Sequence, residues 1–131
     1  MSISQEKSTS LSAIKDMHAS ALNYITDNAT PEDRDTWAAK ETASIAVLEG
    51  SAEQSQVDML TYECQFSDED LISLAMLIVT NAKLFRRGAG LISGVCQKYK
   101  RRVVSSTSIS EVQNAPLECS AMLIAMGLWS Q

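Results

Sequence analysis

From residue 71 to residue 103 the sequence places Leu71, Leu74, Ile78, Ala82, Phe85, Ala89, Ile92, Cys96, Tyr99 and Val103 at unbroken steps of three or four. That spacing lines one face of an α-helix, whereas a strand would scatter the same residues over both of its faces. The register predicts one long helix over about residues 68–103. At 1.5 Å per residue its inward stripe runs for about 50 Å, long enough to organise the rest of the chain.

Gly88, Gly90 and Gly94 lie inside this register, and each costs up to about 1 kcal/mol of helix propensity. A phosphate-binding glycine loop needs a strand before it, so that the ligand meets freshly exposed backbone N–H groups at a helix start. The preceding "VTNAKLFRR" is in helical register, and no acidic residue follows at the required distance. The glycines allow a break or kink near Gly88, but the reading preferred is a helix in which Gly90 and Gly94 form a flat notch where another helix can approach closely.

The remaining segments read as shorter helices. Leu11, Ile14, His18, Ala21, Leu22 and Ile25 form one stripe of a helix from about residue 4 to 27. Thr30, Pro31 and Asp33 mark the start of the next helix, which turns Trp37, Ile45 and Leu48 inward and ends at Gly50. A third is expected over residues 52–64, burying Val57, Leu60 and Cys64. Ser67 with Asp70 and Ser108 with Glu111 have the spacing of capping boxes. The second of these opens a short helix expected to stop at "NAP", before an apolar segment from residue 116 to 131.

With five glycines and two prolines, turn signals are too few for a many-stranded sheet protein. The fold class expected is all-α, a compact bundle of four to six helices in a single domain. Its divisions are an N-terminal helix (1–29), a helical module (30–115) and an apolar C-terminal helix (116–131). The opening "MSISQEKSTS" lacks the pattern of a signal peptide. The longest apolar run, about nine residues, is too short to span a bilayer, so no membrane association is expected.

Charge is divided unevenly: residues 1–70 carry 14 acids and 4 bases, residues 71–131 carry 2 acids and 7 bases. The two halves attract one another, within a molecule or between copies. The bases Lys83, Arg86, Arg87, Lys98, Lys100, Arg101 and Arg102 suggest nucleic-acid binding through residues 83–102, but an acidic whole and few aromatics disfavour it.

Catalytic and metal chemistry is not expected. His18, the single histidine, sits on an apolar stripe, and Cys64, Cys96 and Cys119 have neither disulfide nor zinc-site spacing. The clusters "PEDRD" and "SDEDL" fall at helix starts, where acids act as caps. No cofactor is implied.

Read in order, "RDTWAAKETASIAVLEG" (34–50), "ML" (59–60), "DEDLISLAMLIVTNAKLF" (68–85), "GLISGVCQKYK" (90–100) and "STSISEVQNA" (106–115) resemble a helical domain of tailed bacteriophages. That domain lies at the C-terminal end of tail-fibre assembly proteins and related tail proteins, and Trp37, Lys40, Glu41, Asn81, Gly94 and Gln97 carry the likeness. The resemblance implies a small non-enzymatic, chaperone-like module that binds a phage tail or tail-fibre protein, in the host bacterial cytoplasm or retained in the virion tail. The contact residues expected are Lys98, Lys100, Arg101 and Arg102, with Leu117, Met122, Leu123, Met126 and Trp129 of the apolar end. Met122 and Met126 have a competing role, which is to complete the protomer's own core. Self-association through the Gly90/Gly94 face or the apolar C-terminus is a further expectation. The alternative function is a phage-encoded inhibitor of a host enzyme or defence complex.

Overall fold

The computed structural model describes residues 2–131. Among them the chain forms five helices and no strand: α1 (Ile3–Ile25), α2 (Pro31–Glu49), α3 (Gln54–Cys64), α4 (Leu71–Ser105) and α5 (Ile109–Ala125). The all-α class and the long helix both follow the sequence reading, and α4 continues through all three of its glycines.

Two compact units result, one made of the chain up to Asn28 with Arg87–Gln131, the other of Ala29–Arg86. In the first, called here the terminal unit, α1 packs on α5. Its core joins Ile14 and Ala21 of α1, Ile92, Cys96, Tyr99 and Val103 of α4, and Val112, Ala115, Cys119 and Leu123 of α5. A fully buried Ile or Leu is worth about 1.5–3 kcal/mol relative to exposure, so Ile14, Ile92 and Leu123 anchor this unit. In the second, the central unit, α2 packs on α3. Its core is small, consisting of Ala43, Leu60, Leu74 and Ala75. Beside it Trp37 meets Phe85 edge to face, with ring centroids 5.6 Å apart, a favourable geometry for two ring quadrupoles.

Helix ends follow local chemistry. Ser2 and Gln5 form a reciprocal capping box on α1, and Thr30 with Asp33 forms another on α2, followed by Pro31 at the first helical position. Gly50 ends α2 in the left-handed region at φ 76°, where a Cβ would be strained. Lys7 of α1 donates to the carbonyl of Val104 at 2.8 Å, placing a cation at the negative end of α4.

Four sequence expectations need correction. Asp70, not Ser67, caps α4: its carboxylate accepts from the Ser73 N–H at 2.8 Å, while the Ser67 hydroxyl is buried without a partner. At the start of α5, Ser108 accepts from the Glu111 N–H, but the Glu111 carboxylate turns instead to the Ser106 hydroxyl at 2.9 Å, so the box is not reciprocal. On α2, Ile45 and Leu48 are 40% and 41% exposed, and the buried face holds Ala43 and Ser44 instead. The inward stripe continues from Trp37 through Lys40, Ser44 and Val47, which leaves Ile45 and Leu48 about 100° further round the helix. Ser44 tolerates burial because its hydroxyl donates to the Lys40 carbonyl at 2.7 Å.

The fourth correction concerns "NAP". α5 does not stop there but runs through Pro116 to Ala125. A proline inside a helix leaves the carbonyl four residues earlier without its N–H partner. That carbonyl belongs to Val112, and the buried hydroxyl of Ser10 on α1 donates to it at 2.9 Å. The proline's cost is thus reduced from outside the helix. After Ala125, Gly127 adopts φ 72° and Leu128 donates back to the Leu123 carbonyl at 2.9 Å, which returns the Leu128 side chain to the core.

Candidate interaction surface

The apolar end of the chain is largely used by the protein itself. Leu123 is fully enclosed, and the half-buried Met122 and Trp129 pack against the terminal unit's core, in keeping with the competing role of Met122 in the protomer's own core. Leu117, 68% exposed, and Met126 remain outside. The fully apolar look of this segment arose because it has one core-facing side and, beyond Gly127, a return to the core that periodicity does not encode.

The basic stretch is divided in the same way. Arg102 forms an ion pair with Glu118 of α5 and lies 4.8 Å from the Tyr99 ring centroid. Lys98 lies 5.3 Å from the same ring and remains exposed, as does Arg101, whereas Lys100 is half-buried. Further up α4, Arg86 pairs with Glu41. Two of the seven bases of this helix are therefore matched by acids of the same chain, but only Arg86–Glu41 joins the basic half to the acidic one, since Glu118 lies in the basic half itself.

The notch expected at Gly90 and Gly94 is empty. A Cβ at either position would meet nothing within 4 Å, whereas one at Gly88 would lie 2.9 Å from Cδ1 of Ile25. Gly88 is the glycine that admits a neighbour, because it borders the inward stripe while the other two face outward.

Lys100 lies within electrostatic reach of His18, Cys96 and Cys119. Burial, and then the Lys100 ammonium, push the half-buried His18 imidazole below its ordinary range. Cys96 and Cys119 are free, buried and adjacent; the hydrogen bond to Cys96 and burial hold the Cys119 thiol well above its usual value. Among the described residues no group of three or more His, Cys, Asp or Glu side chains is placed to hold a metal ion. An open groove of about 520 Å³ between α2 and α3 is lined by Ala38, Ala39, Thr42, Ser55, Gln56 and Met59, none of them titratable.

The central unit has the strongest surface signal. Its core holds four buried apolar residues, yet Ile45, Leu48, Tyr62, Phe66, Ile72, Met76, Leu77 and Leu84 are all substantially exposed. Phe66 is 90% exposed in the turn after α3. Periodicity missed most of these positions because each helix of the unit carries apolar residues on more than its core-facing side. Single exposed apolar residues are ordinary; here eight of them fall within a unit of 58 residues.

Among the described residues, no helix is long and apolar enough to cross a membrane. Comparison of the chain with protein-family models, with curated proteins and with solved structures finds no match.

Proposed function

We propose that the protein is a non-enzymatic interaction module of the phage tail-assembly type, which shields apolar surface on an unassembled tail or tail-fibre protein. The observation that carries this reading is the excess of exposed over buried large apolar side chains in the central unit. The residues resembling the phage module supply the class of partner; of the six that carry the likeness, Trp37, Lys40, Glu41 and Asn81 lie in this unit and Gly94 and Gln97 in the terminal unit. Transient cover of such a surface suits a protein that must release its client when polymerisation buries the client's own patch.

The test is affinity purification of the tagged protein from phage-producing bacterial cells, with mass spectrometry of what accompanies it. Recovery of a tail or tail-fibre protein, lost in Phe66→Ser and Ile72→Ser variants that keep their helix content, supports the proposal. Recovery of a host enzyme or of no tail protein overturns it.

A further inference from the structure

The open groove of the central unit runs beside a stripe of α2 that the core does not use. Asp35, Ala38, Thr42, Ile45 and Glu49 follow one another at steps of three and four, which keeps them on one side of the helix, and all five are exposed. Ala38 and Thr42 line the groove, with Ser55 and Met59 opposite them on α3. Tyr62, three residues after Met59 and 63% exposed, extends the α3 side. An acid stands at each end of the α2 stripe, and the fourteen steps from Asp35 to Glu49 cover about 21 Å, close to four turns.

Charge around the groove is of one sign. Residues 29–86 carry 11 acids and 4 bases. Lys40 is paired with Glu63 and Arg86 with Glu41. Arg34 is half-buried and donates to the Ala29 carbonyl at 3.5 Å, while Lys83 lies on α4 and is not part of the groove lining. Asp35, Glu49 and the nearby Glu53 are exposed and form no ion pair among the described residues, and Asp58 accepts from Gln54 at 2.8 Å.

We propose that this groove holds a basic amphipathic helix of the partner protein, its apolar side chains seated between α2 and α3 and a lysine or arginine near each end against Asp35 and Glu49. Two helices with a groove between them take a third by setting its ridge of side chains into that groove, and the small Ala38, Ala39 and Thr42 leave room for it. The acids make nucleic acid or an acidic segment an unfavourable occupant, and a neutral helix gains nothing from them. This assignment rests on the tail-assembly reading and adds to it the chemistry of the bound segment.

Fluorescence anisotropy of the full chain with a labelled peptide of about eighteen residues tests it, the peptide having leucines at steps of three and four among alanine and glutamine and lysines near both ends. Saturable binding is expected, weakened by salt and lost when glutamate replaces the lysines. Asp35→Asn with Glu49→Gln weakens it about fivefold, the loss of two exposed ion pairs. Thr42→Lys sets bulk and a like charge in the groove and abolishes binding with unchanged helix content, since the Thr42 hydroxyl bonds within its own helix, to the Ala38 carbonyl. No saturable binding, equal binding of the glutamate peptide, or indifference to Thr42→Lys overturns the proposal. So does a free protein that sediments as a dimer which Thr42→Lys dissociates, because a second copy then fills the groove. Recovery from cells separates the two readings: a tail protein that accompanies the Thr42→Lys variant as well as the parent sinks the groove alone, whereas peptide binding with no tail protein recovered sinks the tail-assembly reading alone.

Discussion

The hydroxyl of Ser10 on α1 donates to the main-chain carbonyl of Val112 on α5 at 2.9 Å, in the position that Pro116 leaves without a helical donor. One side chain thereby ties two helices together and satisfies a buried polar group. Ser10→Ala should cost about 1–3 kcal/mol, the penalty of an unsatisfied buried carbonyl. In a Pro116→Ala background an N–H returns to α5, and the same Ser10→Ala change should cost clearly less. Chemical denaturation of the four proteins of this double-mutant cycle measures the coupling. Equal costs in both backgrounds would show that Ser10 acts by packing alone.

How far the fold was legible follows from which forces left a mark in sequence. The inward stripe of α4 was readable at every position from Leu71 to Val103 because a long amphipathic helix repeats its signal, and the Thr30 and Gly50 ends of α2 were readable because caps are local. Pro116 misled because the group that accommodates it, Ser10, is 106 residues away in the chain. Ser44 and Ile45 misled in a similar way: a short helix in a small unit buries its less apolar neighbour when geometry requires it. Apolar positions on the second faces of α2, α3 and α4 were visible as residues, but only packing shows that nothing in the central unit covers them.

The three glycines of α4 should respond differently to alanine. Gly90 and Gly94 sit in open helical positions, so Gly90→Ala and Gly94→Ala should each raise stability by about 0.5–1 kcal/mol through better helix propensity. At Gly88 the new methyl meets Ile25, whose terminal carbon must rotate away, and the gain should largely vanish. Melting temperatures of the three variants rank them. A Gly94→Ala variant no more stable than the parent would point to a close neighbour at that face.

His18 should make stability depend on pH in the mildly acidic range. Its folded-state pKa lies below the unfolded value, through burial first and the Lys100 charge second, so the unfolded chain takes up the proton more readily. The stabilising contribution is complete above the unfolded value of about 6.5. It falls as the pH drops through the interval between the unfolded and the lowered folded value, and is constant below that. Asp70, held low by the Ser73 N–H, also loses its stabilising contribution as the pH falls, but at more acidic pH, so the two intervals separate. Thermal unfolding followed from about pH 7.5 to about pH 5 should show a decline that His18→Gln flattens. Identical slopes in the two proteins would mean that the imidazole is as free to charge in the folded chain as in the unfolded one, and that its place on the stripe of α1 leaves it fully solvated.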